Sequence, residues 1–189
     1  MKTCCFLGHR KIDETEELKS QLKSIITNLI EDENVEVFLF GSRSDFNSLC
    51  HAIVTELKEK YPHIQRRAYT CRSETCTLES ERAYWEEIYS HFEKHPVTLL
   101  GVEEEIEHKT KWTSGRASYV ERNYAMIDDS DFCIFYYDEN YLPKRRKSSW
   151  RDFTDYQPKS GTSIAYKYAT RERKDNKKVI IYNVYEKHI

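Results

Sequence analysis

The chain lacks an excess of charge of either sign, a long apolar run, a metal-like cysteine spacing and a linker-like stretch. Thirty basic residues stand against 32 acidic ones, for a net charge of -2. No global basic field therefore draws in nucleic acid. The first apolar run, Cys4 to Leu7, stops at Gly8. It is far shorter than the roughly 20 residues of a membrane span, and too short for a signal peptide. A cytoplasmic protein without membrane contact is expected. Of the six cysteines, only Cys71 and Cys76 have a local spacing, and it matches no common zinc knuckle. They read as reduced thiols, so neither a metal nor a cofactor is expected. With no linker, residues 1–189 read as one domain.

What is present is a globular balance, 39% hydrophobic and 33% charged, with 14 tyrosines. Tyrosine suits a pocket wall because it packs and hydrogen-bonds, although most serve as filler. A strand is expected at the start, then Gly8-His9-Arg10, then a helix. Asp13 and Glu16 have capping-box spacing, and Leu18, Leu22, Ile25, Ile26, Leu29 and Ile30 recur helically. The design repeats: Val35 to Phe40, then Gly41-Ser42-Arg43, then a helix capped by Asp45 with Phe46, Leu49, Ile53, Val54 and Leu57 on one face. Further strands are expected at Ala68 to Cys71, Val97 to Val102, Phe132 to Tyr137 and Val179 to Val184. Helices are expected around Trp85, Ile88, Tyr89 and Phe92, from Arg116 with Val120, Asn123, Tyr124 and Ile127 inward, and around Ile164, Ala165, Tyr168 and Ala169. Unbroken apolar strands indicate burial on both faces, hence an α/β fold with a mainly parallel sheet between two helix layers.

In such a sheet, ligands bind beyond the carboxyl ends of the strands. Helix N-termini there offer N–H donors and positive dipole ends, which suit phosphate. Gly8, His9 and Arg10 follow the first strand, and Gly41, Ser42 and Arg43 follow the second. Glycine admits close backbone approach, and arginine offers a bidentate fork. A strand-ending glycine is also often only a turn. Lys159, Ser160, Gly161, Thr162 and Ser163 lead into a later helix, where hydroxyls either cap the helix or cradle a phosphate. Arg116, Tyr119, Arg122 and Asn123 have helical spacing and share a face, which argues for an anion or for a solvated salt-bridged surface. The stretch 138–159 is too long for an ordinary loop, so it is expected to be a lid or an insertion. Its Lys144, Arg145, Arg146, Lys147 and Arg151, with Tyr141, Trp150 and Phe153, suit phosphate and base contacts.

Phe6-Leu7-Gly8-His9-Arg10, Ser114-Gly115-Arg116 through Tyr119, Arg122 through Asp128, Ser130-Asp131 and Ser160-Gly161-Thr162 occur in this order. Together they resemble the SLOG superfamily, which groups SMF/DprA and lonely-guy proteins, and within it the small single-domain branch with a GHR motif. The resemblance spans nearly the whole chain. It implies a three-layer Rossmann-like fold and a nucleotide-derived ligand. Members of the wider group include ligand sensors in bacterial and phage conflict systems, and hydrolases that cleave the base from nucleoside monophosphates. The hydrolases carry an arginine helix, matched by Arg122, and a PGGxGTxxE segment, matched at Gly161-Thr162. Their catalytic glutamate is matched by Ala165, which cannot ionise, and Lys159 replaces a glycine.

The expectation is therefore binding or sensing of a phosphate-bearing, nucleotide-derived small molecule, with no catalytic residue assigned. The rival is a nucleotide hydrolase or N-glycosidase in the same crevice, with Glu74, Glu79 or Asp138 as a substitute carboxylate. A weaker rival is a DNA-binding protein using the basic stretch near Trp150, which the neutral overall charge disfavours. A homodimer is compatible with the sequence.

Overall fold

A computed structural model describes residues 1–41, 44–71, 101–109, 111, 116–143, 159–171 and 179–185. In chain order these form β1 (Lys2–Gly8), α1 (Glu16–Glu31), β2 (Val35–Phe40), α2 (Asp45–Lys60), β3 (Gln65–Cys71), β4 (Glu104–His108), α3 (Arg116–Asp128), β5 (Phe132–Tyr136), α4 (Gly161–Ala169) and β6 (Ile180–Asn183). The six strands make one sheet in the order β4-β3-β2-β1-β5-β6, and every pair is parallel. The three strands expected inside the sheet, β1, β2 and β5, are inside it. The expected helix around Trp85 to Phe92 lies outside the described residues.

Alternate residues of the central strands feed two apolar layers. Cys4, Phe6, Phe38, Phe40, Phe132 and Ile134 pack with Leu22, Ile26, Phe46 and Val54 of α1 and α2. Cys5, Leu7, Val37, Leu39, Cys133 and Phe135 pack with Met126, Ile127, Ala165 and Ala169 of α3 and α4. Side chains alternate across a strand, so a strand covered on both faces must be apolar at every position. That is why Cys4 to Leu7 of β1, Val37 to Phe40 of β2 and Phe132 to Tyr136 of β5 read as unbroken apolar runs.

Local differences from expectation have local causes. Thr15 caps α1, accepting from Leu18 N–H at 3.1 Å, so the helix starts two residues beyond Asp13. The Asp13 carbonyl instead accepts the Thr15 N–H at 3.0 Å, closing a tight turn just before the cap. Ser44 caps α2 through Asn47 N–H, and Asp45 becomes the first helical residue. Its carboxylate then sits at the positive end of the helix, where it is stabilising.

The fourth strand is displaced from Val97–Val102. Residues 97–100 lie outside the described residues, Gly101 and Val102 are irregular, and the strand is Glu104–His108. Gly101 adopts φ 55°, and its carbonyl lies 3.2 Å from His51 Nε2. Glu103 then accepts from Arg66 through both main chain and guanidinium, at 2.6 and 2.7 Å. These contacts set where the chain joins β3. Burial would raise the Glu103 carboxyl, but Arg66 holds it down at about 2. As an edge strand, β4 needs only Ile106 turned toward the core, so its sequence shows no apolar run.

Candidate functional site

The chain runs outward from β1 through β2 and β3 to β4, then returns to place β5 on the other side of β1. The strand order therefore reverses between β1 and β5, which is where an open parallel sheet forms its crevice. Gly8 pairs with Tyr136 at the carboxyl ends of these two strands. Gly41 follows β2, and Ser160 starts α4 after β5.

Gly8 is required by packing. A Cβ there would overlap the Phe46 ring and lie 2.6 Å from Phe46 Cβ. The missing side chain thus lets the first turn of α2 press on the end of β1. The Arg10 carbonyl accepts Asp45 N–H at 3.0 Å, while the Arg10 side chain is exposed. Asn47, which the sequence reading passed over, ties the strand ends together. Its Nδ2 donates to the Phe6 carbonyl at 3.4 Å, and its Oδ1 accepts Gly41 N–H at 3.3 Å. The available signal was position: Asn47 sits three residues before Cys50 and seven before Val54, on the buried stripe of α2.

His9 is 2% exposed. Its Nε2 accepts the Asp138 N–H at 3.0 Å, and its ring stacks on Tyr141 at 4.0 Å. The turn that brings Tyr141 back is built by Asp138, whose Oδ1 accepts Asn140 N–H and whose carbonyl accepts Tyr141 N–H. The Asn183 side-chain amide holds the Tyr137 main chain: its Oδ1 accepts Tyr137 N–H and its Nδ2 donates to the Tyr137 carbonyl, each at 3.0 Å. Burial pushes the His9 imidazole below its ordinary value, against the opposing pull of Asp138. His9 Nδ1 is buried with no partner among the described residues. A buried polar atom left without a partner costs about 1–3 kcal/mol. The first residues of the stretch 138–159 thus form a docked turn; residues 144–158, with Lys144 to Lys147, Trp150, Arg151 and Phe153, lie outside the described residues.

The arginine helix differs from its expected arrangement. Arg122 is 1% exposed, and its Nη1 donates to the Tyr69 carbonyl at 3.4 Å. Tyr119 is 39% exposed, and the Arg122 Cζ lies 5.8 Å from its ring centre. The inward stripe is Ser118, Arg122, Met126 and Ile127, where Val120, Asn123, Tyr124 and Ile127 were expected and only Ile127 is shared. Three of those four are only half-buried. A polar stripe carries no hydropathy signal, which is why periodicity chose the wrong face. Asn123 is half-buried, and its Oδ1 has no partner among the described residues. Gly41 gives Arg122 its room: a Cβ there would lie 2.5 Å from Arg122 Nη1 and overlap Met126 Sδ. Ser42, Arg43, the side chain of Arg116, Glu74 and Glu79 lie outside the described residues.

At α4, Ser160 is the N-cap, accepting from Ser163 N–H at 3.0 Å. Thr162 is buried and Lys159 exposed. A Cβ on Gly161 would meet nothing within 4 Å, so no contact among the described residues demands glycine there. Ala165 is 1% exposed and packs in the layer with Cys5 and Leu7. The structure therefore brings Arg122 to Gly41, and His9 to the start of the chain leaving β5. No cluster of three or more His, Cys, Asp or Glu that could hold a metal occurs among the described residues. None of the described helices is long and apolar enough to cross a membrane.

Sheet order, helix layers and a glycine-lined carboxyl edge define a Rossmann-like α/β protein. A family model described as the YspA SLOG family matches residues 7–172, and the chain belongs to that family. Membership points to binding or processing of a nucleotide-related ligand. Comparison with curated proteins gave no match.

Proposed function

We propose that this protein binds or senses a phosphate-bearing, nucleotide-derived small molecule at the carboxyl ends of β1, β2 and β5, without cleaving it. Gly8, His9, Arg10, Gly41, Ser42 and Arg43 form the strand-end side of the site. Lys159, Ser160, Gly161 and Thr162 form the helix side, where N–H donors and the positive dipole end favour an anion. Arg116, Tyr119, Arg122 and Asn123 back the site from α3. The observation that carries the reading is Gly161: it opens α4, and nothing among the described residues lies within 4 Å of where its side chain would start, which suits close approach of a phosphate to its main chain. Ala165 supports binding over hydrolysis, because a buried methyl in an apolar layer offers no acid, base or nucleophile.

The test is mass spectrometry of small molecules released from the purified protein, followed by thermal-shift titration with nucleoside mono-, di- and triphosphates. Chromatography of the same mixtures reports any free base. Stabilisation by a nucleotide with no base released is the expected result. Release of base would replace this reading with the N-glycosidase, and no stabilisation by any nucleotide would overturn it.

A further inference from the structure

Three tyrosines and one hydrogen bond hold the His9 ring. Tyr141 stacks on it at 4.0 Å, Tyr137 lies 6.1 Å away, and Tyr136 meets it edge-on at 6.4 Å. The His9 main-chain N–H donates to the Tyr136 carbonyl at 3.4 Å, so the residue is fastened across the β1/β5 switch point itself. Its Nε2 faces the Asp138 main-chain N–H at 3.0 Å. An amide N–H can only donate, so Nε2 must present its lone pair. A neutral imidazole then carries its hydrogen on Nδ1. That N–H is buried and has no acceptor among the described residues. One nitrogen of the ring is thus committed to the chain leaving β5, and the other is a fixed donor awaiting an acceptor.

We propose that His9 is a ligand-recognition residue: its Nδ1–H donates to an acceptor oxygen of the molecule bound beyond the carboxyl ends of β1 and β5, while Nε2 holds the turn at Asp138. The inference rests on the nucleotide-binding reading above and adds which atom recognises what. The donor accepts a phosphate, hydroxyl or carbonyl oxygen at this point and rejects an ammonium or amide N–H, which would leave two donors facing each other. The ring is already oriented by its three tyrosines, so little ordering accompanies the contact. Tyr136 lies in β5, Tyr137 is pinned by Asn183 and Asp138 stays on Nε2, so the stacked Tyr141 is the part that yields when the acceptor arrives.

The experiment uses the full chain with nitrogen-15 histidine, AMP as the probe and inorganic phosphate as the second probe. His9, assigned by its absence from the spectrum of His9→Gln, should show the neutral Nδ1–H tautomer in the free protein. Its Nδ1 signal and the Asp138 amide should both shift on adding AMP. His9→Gln keeps an amide oxygen able to accept Asp138 N–H but has no donor in the Nδ1 position. It should fold, retain slow exchange of the Asp138 amide, and bind AMP at least tenfold more weakly. His9→Asn places an amide donor near Nδ1 and should recover part of that affinity. An Nε2–H tautomer, or unchanged AMP affinity in His9→Gln, overturns the His9 inference and leaves nucleotide binding standing. A wild-type protein that binds neither AMP nor phosphate overturns both.

Discussion

Replacing Gly41 by alanine adds one methyl group at the point where the end of β2 meets the arginine helix. The backbone does not oppose the change, since the only glycine with positive φ among the described residues is Gly101. The cost is steric. The new Cβ would lie 2.5 Å from Arg122 Nη1 and 3.1 Å from Arg122 Cδ, and would overlap Met126 Sδ. Arg122 and Met126 are both fully buried, so neither can swing into solvent. Overpacking of this kind costs about 1–3 kcal/mol, and two clashing side chains put Gly41→Ala in the upper half, about 2–3. For a domain of this size each kcal/mol lowers Tm by about 2–4 °C, so a fall of roughly 4–12 °C is expected. Urea unfolding followed by circular dichroism provides the measurement, within a double-mutant cycle. Met126→Ala alone should cost about 2–5 kcal/mol, because it leaves a cavity. In that background the Gly41→Ala methyl occupies the vacated space, and its penalty should drop below about 1 kcal/mol, a coupling in the range seen for residues in contact. Equal penalties in the two backgrounds would refute the argument that Gly41 exists to seat Met126 and Arg122.

Three other outcomes are expected. Arg122→Ala should destabilise the fold by about 2–5 kcal/mol as well as weaken ligand binding, since it removes a fully buried side chain and its bond to the Tyr69 carbonyl; chemical denaturation of the free protein checks this, and an unchanged midpoint would return Arg122 to a purely ligand-facing role. Gly161→Ala should leave stability unchanged or raise it by about 0.5–1 kcal/mol, because nothing clashes and alanine favours helix, yet it should weaken AMP binding in calorimetry; equal affinity would remove Gly161 from the site. His9 and His51 are both held below the ordinary histidine value, chiefly by burial. The unfolded chain therefore binds more protons, so this stability is fully present above the unfolded value of about 6.5 and is lost as pH falls from there through the folded values. Urea midpoints at pH 7.5 and 5.5 should show the loss, His9→Gln and His51→Gln should each flatten it, and a flat wild-type profile would contradict the burial argument.

The sequence alone determined the sheet and its interior strands. Cys4 to Leu7, Val37 to Phe40 and Phe132 to Tyr136 are covered by helices on both faces, and double coverage writes itself as an unbroken apolar run. The same logic failed for β4: an edge strand with one inward residue leaves no run, and the apolar residues just before it drew the strand too early. The motif positions Gly8, Gly41 and Ser160 were legible, because strand ends and helix starts carry their own residue types. What they do was decided by partners distant in sequence. Gly8 and Gly41 are small because Phe46, Met126 and Arg122 press on them. Arg122 turns inward beside Ser118 and Met126, a stripe whose mixed polarity has no period to read. The pairing of His9 with Asp138 and Tyr141 spans most of the chain and exists only because β1 and β5 are neighbours. Local sequence encodes which segments are buried and where they end; which side chains meet at those ends depends on strand order, and that arises only when the sheet closes around its core.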